Sequence, residues 1–220
     1  MKAKMIRIKG HSYSEASSNR CLEEYAKFNY PDIELFDAVT PDNVDEVMKG
    51  HGIGYDKGSF KGKPRIASKG TKTTASCAMS HFAMWLECAA GTEPMLILEH
   101  DAFPLRDLTK EVLDDFMESD FQWFNCRVPT RWTRPEISFK SMKNCENPAA
   151  CTAYILKPKG AQDLVDSIFE KNMFYAPADG VALADNGFNW LCYYDGPDFI
   201  INQVEGMRNI STSNNVSAGR

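Results

Sequence analysis

Met95-Leu96-Ile97-Leu98-Glu99-His100-Asp101-Ala102 is the stretch on which the reading of this chain turns. Four large apolar residues in a row, bounded by Pro94 and by charge, predict a strand buried on both faces. Glu99 and Asp101 stand one residue apart at its carboxyl end, and residues i and i+2 of a strand share a face. The spacing predicts two carboxylates leaving the sheet side by side, at the edge where open α/β sheets bind ligands. Two like charges held so close call for a neutralising partner, and a divalent cation is the common one. An exposed acidic turn after a strand is the other reading of the same eight residues.

The rest of the chain sets bounds on that strand's surroundings. With 220 residues, 43% of them hydrophobic and 25% charged, the composition is that of a globular protein with a sizeable core. A net charge of −5 argues against a nucleic-acid partner, which would call for a basic excess. No apolar run reaches the length of a membrane span. Charges run through the apolar residues of Met1 to Lys9, so no signal-peptide core is expected there. The seven cysteines, at 21, 77, 88, 126, 145, 151 and 192, include no Cys-x-x-Cys pair. Cys77, Cys88, Cys126 and Cys151 sit in apolar sequence and read as small reduced core residues, which points to the cytoplasm.

Working outward, strands are expected over residues 3–9, Ile33 to Val39, Phe121 to Cys126 and Ala150 to Leu156. Between them, helical spacing runs from a Ser12 or Ser14 cap to about Phe28, and from Thr73 or Thr74 to Ala90. It returns over Leu108 to Met117 and from Pro158 to Lys171, with a short helix opening at Thr40-Pro41-Asp42. The helix before Gly91 is apolar nearly all round, so it is expected to be buried, with Ser80, His81 and Glu87 as exceptions. A lone histidine on such a helix is more often a hydrogen-bonded core residue than a ligand.

Residues 50–72 hold six glycines and basic side chains that include Lys57, Lys61, Lys63, Arg65 and Lys69, without periodicity. A connection of this length is a lid that brings positive charge to a phosphate, or a solvated excursion; no P-loop pattern is present. Residues 127–148 are irregular and carry Arg127, Arg131, Trp132 and Arg134, which could meet a ligand. The polar end from about Asn209 is expected to fray. Alternation of strand and helix argues one α/β domain over residues 1–220, a sandwich with a mostly parallel sheet.

Several pieces together carry a likeness. Ser80-His81-x-x-x-Trp85 is followed by Leu96-Ile97-Leu98-Glu99-His100-Asp101-Ala102. Phe36-Asp37-Ala38-Val39 precedes them. After them come Ala153-Tyr154 through Gly160-Ala161 with Leu164, then Pro177-Ala178-Asp179, then Gln203 to Ser211. In this order the pieces resemble glycosyltransferase family 25, whose members include lipooligosaccharide and collagen hydroxylysine galactosyltransferases. The resemblance covers roughly residues 4–213. His100 departs from it, standing where the family usually has Asp.

The resemblance implies a GT-A fold, a nucleotide-sugar donor such as UDP-galactose, a glycan or other hydroxyl acceptor, and inversion at the sugar carbon. It implies a divalent metal, Mn²⁺ or Mg²⁺, with Asp101 the first choice of ligand, Glu99 a second ligand or a sugar contact, and His100 between them. An imidazole there favours softer ions than Mg²⁺. Ala38 and Val39 fall in the segment that resembles the family's first nucleotide-side stretch. Ser80 and His81 either border the donor or support the strand from behind. Asp179 is the candidate general base, in a turn flanked by Pro177 and Gly180, or else it caps the next helix. Two further readings stand beside this one. One is a non-catalytic nucleotide-sugar or carbohydrate binding protein marked by His100. The other is a metal-dependent phosphodiesterase or nuclease, for which the sequence offers neither a second acidic cluster nor a basic groove.

Overall fold

The computed structural model describes residues 1–55, 71–126, 138–141, 151–174, 178, 181, 191–195 and 201–203. Its strands are β1 (Lys2–Arg7), β2 (Ile33–Asp37), β3 (Gly54–Tyr55), β4 (Met95–Glu99), β5 (Ala102–Pro104), β6 (Trp123–Asn125), β7 (Ser138–Ser141), β8 (Ala153–Leu156), β9 (Met173–Phe174), β10 (Leu191–Asp195) and β11 (Ile201–Gln203). Its helices are α1 (Ser12–Tyr25), α2 (Val44–Gly50), α3 (Thr71–Ala89), α4 (Lys110–Glu118) and α5 (Pro158–Lys171).

Seven strands form one sheet in the order β2-β1-β4-β8-β6-β10-β7. β1 pairs in parallel with β2 and with β4, and β6 pairs in parallel with β10. β8 runs against both β4 and β6, and β7 runs against β10. Five strands therefore point one way and two the other. Met95 to Leu98 sit in the middle of this sheet at 0–1% exposure, as an uninterrupted apolar run requires.

Alternation along β4 divides the core. Met95 and Ile97 pack with α3 and α5, through residues such as Met79, Phe82, Trp85, Leu164 and Ile168. Leu96 and Leu98 pack with α1 and α4, through Cys21, Tyr25, Val112 and Phe116. Helices cover both faces, so the architecture is an α/β/α sandwich, as the GT-A fold implied by the family resemblance requires. α3 buries most of its surface because its sequence offers almost no polar stripe.

Helix ends follow local chemistry, with two departures from expectation. α1 is capped by His11, whose Nδ1 accepts from the Ser14 N–H at 3.3 Å. Ser14 itself is buried, and its hydroxyl accepts from the Ile8 N–H at 2.9 Å, so it ties the helix to the end of β1. α2 begins at Val44, later than Thr40-Pro41-Asp42 suggests. The Asn43 carboxamide accepts from the Thr40 N–H at 2.8 Å and closes a turn first. α5 runs from Pro158 at its first turn to Lys171, ending on Asn172 in the left-handed conformation with φ 52°.

Past Glu99 the chain leaves the main sheet. β5 pairs antiparallel with β11 in a separate ribbon, and β3 pairs parallel with β9 in another. Strands of two or three residues leave no periodicity to read, so these ribbons were not foreseeable.

The first turn of α5 lies hard against the residue before β6. A Cβ on Gly160 would stand 2.6 Å from Gln122 Cβ and 3.3 Å from the Gln122 carbonyl oxygen. Gly160→Ala gains about 1 kcal/mol of helix propensity, against about 1–3 kcal/mol for overpacking. The expected outcome in urea denaturation is a net loss of stability. A variant more stable than the parent would contradict the close approach.

Candidate functional site

Cys77, His81 and Trp85 recur every four residues on α3, so they share one face of the helix. That face meets Tyr154 of β8 and Glu99 at the end of β4. The Trp85 indole N–H donates to the Tyr154 hydroxyl oxygen at 2.9 Å. His81 Nδ1 lies 2.9 Å from the same oxygen. The Tyr154 ring stacks on Trp123, with centroids 3.7 Å apart and planes 6° from parallel. Tyr154 is thus held by its ring, and its oxygen sets the orientation of the imidazole.

The other imidazole nitrogen faces the acid. His81 Nε2 is 3.7 Å from Glu99 Oε1, and the Cys77 thiol is 4.0 Å from that oxygen. Burial opposes a charge on the His81 ring, but Cys77 and Glu99 together outweigh it and raise its pKa to about 10. Burial likewise works against the Glu99 carboxylate. His81, and after it His100 and Thr152, overcome that penalty and hold its pKa below the ordinary carboxylate value. Each partner thus favours the charged form of the other, with the imidazole Nε2 facing the carboxylate at the strand end across 3.7 Å. The Glu99 side chain keeps 20% exposure, so it looks out from the sheet edge while its partner lies inside.

Ser80 does a second job on the same helix. Its hydroxyl donates to the Ser76 carbonyl at 2.8 Å and accepts from the Val39 N–H at 2.9 Å. The Ala38 N–H donates to the Arg7 carbonyl at 2.7 Å, one residue beyond the β1–β2 ladder. Ala38, Val39, Ser80, His81 and Glu99 are in this way brought to the carboxyl ends of β1, β2 and β4. Ser80 and His81 are each 1% exposed and stand behind the strand end.

His100 and Asp101 go elsewhere. β4 stops at Glu99, so the same-face argument for Glu99 and Asp101 does not reach the second acid. The His100 carbonyl accepts from the Ser17 hydroxyl at 2.8 Å and from the Cys21 thiol at 3.5 Å, both on α1. Asp101 is 1% exposed, and its charge adds to burial in pushing the Cys21 thiol up to about 12. Glu99 is oriented toward α3, whereas the turn that follows is fastened to α1. Among the described residues, the group whose ligating atoms all lie within 4.8 Å of one another is Cys77, His81 and Glu99. His100 and Asp101 are not in it. Asp179, most of the 50–72 stretch and Arg127, Arg131, Trp132 and Arg134 lie outside the described residues.

Two residues of this constellation had no role in the sequence reading. Cys77 is half-buried beside Glu99 rather than sunk in the core, unlike Cys88, Cys126 and Cys151, which are buried free thiols. Its position four residues before His81 was the available signal. Tyr154 stood in the motif as one half of Ala153-Tyr154, without a stated partner.

Replacing Tyr154 with Phe keeps the stack on Trp123 and removes the oxygen that two donors share. Each buried donor left unsatisfied costs about 1–3 kcal/mol. Tyr154→Phe should therefore lower stability markedly in denaturant titration, and much of the loss should vanish when Trp85→Phe is already present. Equal losses in both backgrounds would show that the indole and the phenol are not coupled.

Three comparisons bear on kinship. The profile of Glycosyltransferase family 25 (LPS biosynthesis protein) matches residues 18–181. A putative glycosyltransferase of Haemophilus influenzae is 27% identical over 160 residues, covering 68% of this chain and 52% of that protein. The chain thus spans about half the length of this curated relative. Among solved structures, mouse xyloside xylosyltransferase 1 in its apo form shares 10% identity. That match covers 83% of this chain and 80% of the mouse chain at a TM-score of 0.39, too low to bear on activity. On the breadth of the profile match, from α1 past α5, the chain belongs to glycosyltransferase family 25.

Proposed function

We propose that this chain is an inverting glycosyltransferase that moves a sugar, galactose from UDP-galactose being the first candidate, to a hydroxyl of a glycan or other acceptor. The observation that carries the proposal is Glu99, an ionised and partly exposed carboxylate at the carboxyl end of the central strand of a family 25 chain. Ala38 and Val39 flank it from the β2 side, where Ser80 secures the backbone for a nucleotide to lie against. His81 holds the Glu99 carboxylate in one orientation and keeps it charged.

The ion is Mn²⁺ or Mg²⁺, with Asp101 as its first ligand and His100 shifting the preference toward Mn²⁺. Glu99, which faces α3 while the turn carrying Asp101 is fastened to α1, joins that ion only when the turn swings toward it and otherwise meets the sugar. Bound there, the ion would neutralise the charge that grows on the leaving diphosphate. Asp179 takes the proton from the acceptor hydroxyl as the new glycosidic bond forms and the diphosphate leaves. We further propose one domain over residues 1–220, working in the cytoplasm. The free thiols at Cys21, Cys77, Cys88, Cys126 and Cys151 support that compartment. No helix among the described residues is long and apolar enough to cross a membrane.

Turnover of UDP-galactose, with and without a glycan acceptor, tests the reading through two variants. Asp179→Asn should lower kcat by about 10²- to 10⁴-fold, the usual worth of a positioned base, with donor affinity near the parent's. Asp101→Asn should weaken donor binding and turnover together. Full activity in Asp179→Asn would move the base to Asp185. Tight, metal-dependent donor binding without transfer to any hydroxyl would favour the non-catalytic reading, to which His100 lends its one supporting residue.

A further inference from the structure

The group at the end of β4 has a donor set that the proposed transfer reaction does not require. Sulfur from Cys77, nitrogen from His81 and oxygen from Glu99 lie within 4.8 Å of one another. A hard ion such as Mg²⁺ prefers oxygen throughout, whereas a thiolate with an imidazole selects ions of the Zn²⁺ type.

Distances agree with that chemistry. Bond lengths of about 2.3 Å to sulfur and about 2.0–2.2 Å to nitrogen and oxygen place tetrahedral ligand atoms roughly 3.3–3.6 Å apart. Here the nitrogen–oxygen and sulfur–oxygen separations are 3.7 and 4.0 Å, and all three atoms lie within 4.8 Å of one another. Side-chain shifts of up to about 1 Å at Cys77 and Glu99 would bring the three atoms to those separations.

The scaffold is prepared as well. Cys77 and His81 are one helical turn apart on a buried helix, so their spacing is set by backbone. The Tyr154 hydroxyl holds Nδ1 at 2.9 Å, which leaves Nε2 directed at the group, and such a partner on the far nitrogen is the usual support of a ligating histidine. Glu99 and Cys77 are partly exposed and give an ion its way in, whereas His81 behind them is not.

We propose that Cys77, His81 and Glu99 form a three-ligand site for a borderline-soft divalent ion of the Zn²⁺ type, distinct from the oxygen-ligated ion of the transfer reaction. Binding releases the Cys77 thiol proton and the His81 Nε2 proton to solvent, and a fourth position is left for water. Glu99 belongs to both sites, so an ion held here withdraws it from the donor. Only this last consequence rests on the transferase reading; the site itself stands on its geometry.

Co²⁺ alone, titrated into the full-length metal-free chain, is the probe. The expected result is one equivalent bound with a thiolate-to-Co²⁺ charge-transfer band and the visible bands of a tetrahedral ion, both displaced by Zn²⁺. Cys77→Ser should abolish the charge-transfer band while melting like the parent in the absence of metal. Tyr154→Phe should retain the band and weaken binding by about 10- to 100-fold, the typical cost of losing the group behind a metal-bound histidine. A band that persists in Cys77→Ser would assign the ion to another cysteine and overturn the site. So would the lack of any thiolate band in the parent, whatever UDP-galactose turnover is found.

Discussion

A carboxylate at the end of a buried strand cannot stay ionised without a partner, and here that partner is a buried imidazolium. The His81–Glu99 pair joins one helical layer to the sheet at the carboxyl end of β4. Neither member could hold its charge alone, because burial works against each. The Tyr154 hydroxyl completes the arrangement, lying 2.9 Å from the other imidazole nitrogen and accepting from the Trp85 indole N–H. Three elements, α3, β4 and β8, therefore have to be in register for one acid to face outward.

The rest of the fold serves that alignment. α3 is fastened to the sheet at several heights along its length. Near its end, Glu87 accepts from the Lys4 ammonium at 2.7 Å, and that lysine on β1 is largely buried. One turn before His81, Cys77 lies beside Glu99, and Ser80 holds the Val39 backbone. On the opposite face α1 grips the turn after β4 through the His100 carbonyl. The acidic stretch is pinned from both sides of the sheet, which separates the surroundings of Glu99 from those of Asp101.

Much of this was legible in the sequence, and the physical reasons are specific. An apolar run from Met95 to Leu98 can only be a strand covered on both faces, and Pro158 with a 3.6-residue pattern sets the start of α5. The all-round apolar character of α3 announced its burial. Ser80, His81 and Trp85 could be recognised as a family pattern before their function was evident. They line the helix face that binds Val39, Glu99 and Tyr154, partners 41, 18 and 69 residues distant in sequence respectively. Long-range pairing of that kind has no local signature. The same gap hid the insertion of β8 against the direction of its neighbours and the two short ribbons. It also made Cys77 look like inert core. The expected side-by-side exit of Glu99 and Asp101 assumed a strand two residues longer than the one that forms.

The protonation state of His81 decides whether Glu99 has a charged partner. Long-range nitrogen–proton NMR of the imidazoles, at about pH 8 and without metal, reads this directly. With Cys77 and Glu99 raising its pKa to about 10, His81 should show two protonated ring nitrogens at a pH where an unperturbed histidine is neutral. In Glu99→Gln the pKa of the same ring should fall. A parent protein whose His81 is already a neutral tautomer at that pH would contradict the ion pair, and with it the explanation of why Glu99 faces the site as a carboxylate.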